Sequence, residues 1–282
     1  MKINGRKIGF GMPCYIIAEV SANHEQDWDK AVELIYAAWK AGANAVKLQT
    51  YTPDTLVNTD NPLYGLYSRA YMPWEWQPKL KKLADNIGFT LFSSVYDKSS
   101  VDFLEEMGVP AYKISSFEIT DLGLIRYVAS KRKPMFVSTG MATMSEIRCV
   151  REVTEAWQLG LLKCTSAYPA LAQDMNLGAM KELMDKFFVP VGLSNHCQER
   201  AVPVAAVAMG ANIIEQHIAL SHDAIDGAFS LLPDEFAAMV HDIRVTEQAM
   251  GDHIGLTDGE KLNYGVRRDP STGKRGTCKV GL

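Results

Sequence analysis

Two apolar runs in this chain close on a histidine: "VPVGLSNH" reaches His196 and "NIIEQH" reaches His217. Neutral imidazole is a common ligand for divalent transition ions. Two imidazoles from neighbouring strands can meet at one ion and leave positions open for water and substrate. The plainer alternative is that each hydrogen-bonds a neighbouring strand and nothing more. Lys47 and Lys113 lie inside two further apolar runs, "AVKLQT" and "AYKISS". A buried ammonium without a partner is costly. Two of them, with a fringe of serine hydroxyls at other strand ends, make a seat for a phosphate and a carboxylate. Lys163, in "LLKCTS", is an alternate with a structural explanation.

These residues share a place in a larger pattern. Eight short apolar or β-branched runs alternate with longer segments of helical period. The runs span 15–20, 44–50, 89–95, 111–116, 134–139, 161–166, 189–194 and 212–217. Segments such as "DWDKAVELIYAAWKAGA" and "MSEIRCVREVTEAWQLG" read as amphipathic helices, with Gly42, Gly108, Gly160 and Gly210 at their expected stops. The alternation predicts an α/β fold, a closed parallel (β/α)8 TIM barrel. An open doubly wound sheet is the rival, weakened because no G-x-G-x-x-G follows the first strand.

In a barrel the chemistry sits at the C-terminal strand ends. Read there, the chain offers Glu19 with Asn23 and His24 just beyond, Lys47 with Gln49, and Ser93 with Ser94. Lys113 follows with Ser115, Ser116 and Glu118, then Ser138 with Thr139, Lys163 with Thr165, Ser166 and Tyr168, Ser194 with Asn195 and His196, and Glu215 with His217. "KINGRKIGF" is expected to form a hairpin closing the barrel's bottom around its Asn-Gly pair. The long segment 51–75, rich in Tyr, Pro and Asn, is expected to serve function. Residues 1–250 are expected to form the barrel domain. Residues 251–282 read as a short polar, glycine-rich tail, too short for a further domain and disordered over its last dozen residues.

With 282 residues, 47% hydrophobic and 22% charged, the chain can bury a large core. A formal net charge of −4 gives no global field to attract nucleic acid or an anionic membrane. The five cysteines form no C-x-x-C pair, as expected of reduced thiols in a cytoplasmic protein. No signal peptide and no apolar stretch of about 18 residues is apparent.

Several segments also carry a resemblance: "IIAEVSANHEQDWDKAVELI", "AVKLQTYTPDTL", "YMPWEW", "AYKISSFEITDLGLI", "VSTGMAT", "LLKCTSAYPA" and "VPVGLSNH…IIEQH". Together they resemble the sialic acid synthase family, nearest its pseudaminic acid branch, over about residues 13–250. The resemblance implies condensation of phosphoenolpyruvate with a sugar aldehyde to a 2-keto-3-deoxy sugar acid, with release of phosphate. It implies a divalent ion, manganese first, with magnesium or cobalt as alternatives, on His196 and His217. It places Lys47, Ser94, Lys113, Ser116, Ser138, Ser166 and Ser194 on phosphoenolpyruvate. Glu19, Gln49, Glu118, Tyr168 and Asp226 fall near the sugar and the reacting carbons. Glu19, Lys113 and His217 become the catalytic candidates, with Asn23 and His24 in the substrate set. A homodimer is implied too. The chain ends where the family's antifreeze-like domain would begin, and Asn195 stands where the family pattern has aspartate. The alternatives are a barrel aldolase or synthase on a different aldehyde, and a non-catalytic homologue that binds a sugar acid.

Overall fold

The structure, a computed structural model, describes residues 1–251 and 254–276. Its contacts divide into two units, Met1–Ala249 and Met250–Leu282. The chain opens with a hairpin of β1 (Lys2–Ile3) and β2 (Arg6–Lys7). Asn4 and Gly5 turn it with φ of 44° and 83°, the left-handed pair that a tight hairpin needs. Eight strands follow: β3 (Tyr15–Glu19), β4 (Ala45–Thr50), β5 (Thr90–Val95), β6 (Tyr112–Ile114), β7 (Met135–Ser138), β8 (Leu159–Cys164), β9 (Val191–Asn195) and β10 (Ile213–His217). All pair in parallel, and β10 returns to β3 to close the barrel. The closed ring excludes the open-sheet rival.

Helices flank the barrel: α1 (Trp28–Lys40), α2 (Pro53–Leu56), α3 (Tyr64–Ala70), α4 (Gln77–Asn86), α5 (Lys98–Glu106), α6 (Leu122–Ser130), α7 (Met144–Glu152), α8 (Ala179–Phe187), α9 (Ala201–Ala208) and α10 (Pro233–Met250). Local chemistry starts several of them. Asp27 accepts from the backbone N–H of Asp29 and Lys30 at the head of α1, and Thr143 forms a reciprocal box with Glu146 on α7. Gly42, Gly108 and Gly210 follow helices with positive φ, as expected. Gly160 differs: it lies inside β8, because α7 stops at Glu152 and the strand begins at Leu159. The segment 51–75 is also more ordered than a loop, holding α2 and α3.

The barrel interior is filled from below. Tyr15, Phe92 and Phe136 form an aromatic layer, with ring centroids 6.4 Å and 5.6 Å from Phe136. Glycines face these large rings, the large–small alternation that fills a barrel. A Cβ on Gly160 would lie 3.0 Å from the Phe136 ring. The hairpin caps this end: Ile3 and Ile8 are buried, and Asn4 Nδ2 donates to Thr90 Oγ1 at the first residue of β5. The bottom is thus a packed floor, and polar inward residues are left for the top.

The second unit holds a 3-10 segment, Asp258–Val266, and a bridge between Arg268 and Arg275. The disorder expected over the last dozen residues falls in part on 277–282, outside the described residues. Among the described residues no helix is long and apolar enough to cross a membrane.

Gly192, in β9, lies tight against the next strand: an added Cβ would lie 2.1 Å from the Ile213 carbonyl oxygen. Backbone cannot rotate away as a side chain can. Gly192→Ala is expected to destabilise the barrel by about 1–3 kcal/mol, read as a lower urea midpoint; an unchanged midpoint would contradict this packing.

Candidate functional site

Above the aromatic floor, the alternating strands aim charged side chains at one point. Lys47 Nζ lies 2.5 Å from Glu19 Oε2 and 3.7 Å from Glu215 Oε1, and Lys113 Nζ lies 3.6 Å from the same Glu215 oxygen. All four residues are buried, with relative exposures of 1–4%. Water therefore contributes little, and the charges must be compensated by one another or by a ligand. Lys47 Nζ also donates to Ser94 Oγ at 2.8 Å, and Ser194 Oγ donates to Glu215 Oε1 at 3.1 Å. Gln49 Nε2 bridges Glu19 Oε1 and Ser21 Oγ, both at 2.9 Å.

The titrations follow from this crowding. Burial, reinforced by Glu215 and opposed by Lys47, pushes the Glu19 carboxyl up to about 7. Burial also works on Glu215, but Lys113 and Lys47 outweigh it and hold that carboxyl low. Lys47 is held above its ordinary value: burial opposes the charge, but Glu19 and Glu215 win. Lys113 is lowered, by burial first and by Lys47, with Glu215 compensating only in part. Lys113 is thus the under-compensated cation, and an anion in the cavity would supply what it lacks.

Beside the lysines the strand ends form a cradle. Gly140 N–H donates to Ser116 Oγ at 3.1 Å. A Cβ on Gly140 would lie 2.2 Å from Ser166 Oγ and 2.7 Å from Ser116 Oγ, so only glycine lets these hydroxyls converge. Ser138 Oγ is buried with no hydrogen-bond partner, on a residue that lines the same cavity.

Across the mouth stand the two histidines, ring centroids 5.2 Å apart. Phe229 meets His217 at 4.9 Å and His196 at 5.8 Å, and Tyr168 meets His196 at 4.3 Å. His196 Nδ1 faces the Thr165 carbonyl at 2.9 Å, which assigns its proton to Nδ1 and leaves the Nε2 lone pair free. His217 Nδ1 is buried without a hydrogen-bond partner, 3.9 Å from Asp226 Oδ2. Burial first, then the neighbouring His196, hold His217 well below the ordinary imidazole value and therefore neutral. Burial opposes charge on His196 as well, but Cys164 and the Thr165 carbonyl raise its pKa above the ordinary imidazole value. With its proton on Nδ1, the Nε2 of His196 and the unpartnered Nδ1 of His217 present ring nitrogens that fit a divalent ion. Among the described residues no group of three or more His, Cys, Asp and Glu could hold a metal, so ligand or water would complete such a shell.

These groups line one cavity of about 630 Å³ at the C-terminal ends of the strands. Of the expected residues, Glu19, Lys47, Gln49, Lys113, Ser116, Glu118, Ser138, Tyr168, Ser194, His196, His217 and Asp226 are on its wall. Burial pushes Glu118 up to about 6. Ser94 and Ser166 lie one contact behind the wall, against Lys47 and in the Gly140 cradle. Lys163 points out of the barrel and donates to Thr165 Oγ1 at 2.5 Å.

Asn23 and His24, expected in the substrate set, do not line the cavity. Asn23 is a clamp: its Nδ2 donates to Ile218 O and Ser230 Oγ, both at 2.9 Å, and its Oδ1 accepts from Asp226 N at 3.0 Å. Ala22 N donates to Asp226 Oδ2 at 3.2 Å, so the turn after β3 holds the Asp226 carboxylate near His217. His24 is fully buried, with Nδ1 accepting from Gln26 N at 3.0 Å and the ring edge-on to Trp76. Burial pushes its pKa down to about 4, so it is a neutral packing residue. Asn195, which stands where the family pattern has aspartate, faces away from the cavity and bonds Cys197 and Gln216.

Several residues on or just behind the wall were given no role by sequence reasoning. Glu215 carried a signal, two residues before His217 and so on the same strand face. Gly140 lay in "VSTGMAT" without a predicted turn. Cys164 looked like one of five scattered thiols, yet its Sγ lies 3.8 Å from His196 Nδ1. Tyr51, Tyr67 and Tyr96 form an aromatic wall, with Tyr51 5.9 Å from Tyr67 and 5.2 Å from Tyr96. Their convergence from a loop, α3 and the end of β5 has no sequence period.

Fold and site together define a parallel α/β barrel with two buried lysines and two imidazoles lining one cavity at the C-terminal ends of its strands. The family model described as the NeuB family matches residues 34–255, and the chain belongs to that family. A pseudaminic acid synthase of Campylobacter jejuni is 44% identical over 257 residues, covering 84% of this chain and 75% of that protein. An N,N'-diacetyllegionaminic acid synthase of Legionella pneumophila is 39% identical over 274 residues, covering 89% and 77%. The crystal structure of the N-acetylneuraminic acid synthetase of Leptospira borgpetersenii, in complex with citrate, superposes with a TM-score of 0.89 at 29% identity, covering 93% and 94%.

Gly140→Ala should displace both cradle hydroxyls. Calorimetry with inorganic phosphate is expected to show binding weakened at least about tenfold, equivalent to ~1.4 kcal/mol, in a protein with unchanged circular dichroism. Wild-type affinity would remove the cradle from the anion site.

Proposed function

We propose that this chain is a synthase of the sialic acid type. It condenses phosphoenolpyruvate with an amino-sugar aldehyde to give a 2-keto-3-deoxy sugar acid and inorganic phosphate. One observation carries the reading: two buried, partly compensated lysines and two buried histidines share a single cavity at the mouth of the barrel. The identity to pseudaminic and legionaminic acid synthases supports the substrate class.

The reaction needs a bond from C3 of the enolpyruvate to the aldehyde carbon, water at C2, and departure of phosphate. Lys113, Lys47, Ser116, Ser138 and the Gly140 turn hold the phosphate and carboxylate. Because Lys113 lacks a full counter-charge, it stabilises the negative charge that grows on the departing phosphate. His196 and His217 would hold a divalent ion, manganese first, with the Asp226 carboxylate nearby. Such an ion supplies electrophilic polarisation of a carbonyl oxygen. Glu19, pushed up to about 7, can take a proton from water near neutral pH. Gln49 and Ser21 orient that carboxyl. The aromatic wall of Tyr51, Tyr67 and Tyr96, with Glu118, faces the remaining space and is assigned to the sugar. Residues 1–250 form the catalytic domain in this reading, residues 251–282 a tail, and the working form is a homodimer.

The purified chain with Mn2+, phosphoenolpyruvate and a panel of N-acylated amino sugars is expected to release phosphate only when an aldehyde is present. Lys113→Met should lower kcat/KM about 10²–10³-fold. Release without aldehyde, or no release across the panel, would overturn the reading; a carbon–carbon product without phosphate release would mark an ordinary aldolase.

A pH profile gives a second check. Glu19 must be ionised to accept a proton, and its raised pKa leaves it protonated below about 7. The value of kcat/KM should therefore rise through about 7 as pH increases, and Glu19→Gln should abolish that limb along with most activity. A limb that survives the substitution assigns the titration elsewhere.

A further inference from the structure

Both imidazoles belong to strands whose last outward-facing residues are amides. Asn195 of β9 pairs in register with Gln216 of β10. Strand alternation sends these two side chains away from the cavity, while Ser194, Glu215 and the histidines face it. Both amides are buried, at 1% and 0% exposure, so each polar atom needs a partner.

The partners form one continuous chain. Asn195 Nδ2 donates to Gln216 Oε1 at 2.5 Å and to Cys197 O at 2.7 Å, and Cys197 N donates back to Asn195 Oδ1 at 3.2 Å. Gln216 Nε2 donates to Phe229 O at 3.4 Å. One end braces the backbone on both sides of His196. The middle ties β9 to β10 one residue before His217. The other end holds the loop that places the Phe229 ring against both imidazoles. Asn195 uses two donors and an acceptor here, which an aspartate could not supply.

We propose that Asn195 and Gln216 are a positioning clasp that sets the His196–His217 separation and the seat of Phe229. Affinity for the divalent ion then depends on two side chains that never touch it. The inference rests on the metal reading of the site given above.

The experiment is Mn2+ titration of the full chain without substrate, followed by electron paramagnetic resonance. Wild type should bind one ion, and His196→Ala should lose it. Asn195→Ala and the volume-conserving Gln216→Met should each bind about tenfold more weakly, in the range seen when supporting residues of metal sites are removed. The double variant should be little worse than either alone, because both break one unit. Near-native circular dichroism is expected of Gln216→Met, which carries the test if Asn195→Ala does not fold. Wild-type-like Mn2+ affinity in both variants would overturn the clasp and leave the metal reading standing. Failure of wild type to bind would overturn both. Unfolding of both variants would also overturn it, by assigning the amides to stability alone.

Discussion

Two ammonium groups and two carboxylates share a mouth from which water is almost excluded. Each buried ion costs several kcal/mol of lost hydration, and attraction within the quartet recovers that only in part. Glu215 lies near both lysines and Glu19 near one, so Lys113 shares its counter-ion with Lys47. The rest of the molecule exists around this imbalance. The floor of Tyr15, Phe92 and Phe136 carries the stability that the mouth does not. The serine cradle and the imidazole pair then offer a ligand the partners that the protein withholds from itself.

The barrel does this with a simple division of labour. Along each strand, residues of one parity face inward, so a polar residue near the C-terminal end reaches the cavity without disturbing the packed layer below. The outward residues at the same height are not idle. Thr50, Ser93 and Gln77 bond one another behind β4 and β5, as Asn195 and Gln216 do behind β9 and β10. Buried amides and hydroxyls are directional, so they set strand ends more sharply than apolar contact could.

Loops complete the arrangement by reaching across the mouth. Asn23, just after β3, fixes the segment after β10 and with it Asp226. Gln26 donates to the carbonyls of Ser68 and Tyr71, and Trp74 to that of Tyr51, which fastens the aromatic wall to the barrel rim. The cavity's geometry thus depends on pairs separated by many residues, held by side chains that do not line it.

The sequence by itself determined the eight strands, their parallel closure and the identity of the inward lysines, serines and histidines. Those follow from local rules: period-two alternation, helix caps, and the cost of leaving a charge in an apolar run. The hairpin floor was legible for the same reason, through its Asn-Gly turn. Only the tertiary structure decided which of the polar residues beyond the strands face the cavity. "SANH" reads as one motif, yet Asn23 clamps a loop and His24 packs against Trp76, because irregular backbone has no period from which a side chain's direction can be read. It likewise decided that Glu215 lies between two lysines, that Gly140 makes room for two hydroxyls, and that Asn195 turns away from the imidazoles. Each is a relation between strands or loops distant in the chain, and such relations come into being only when the ring closes.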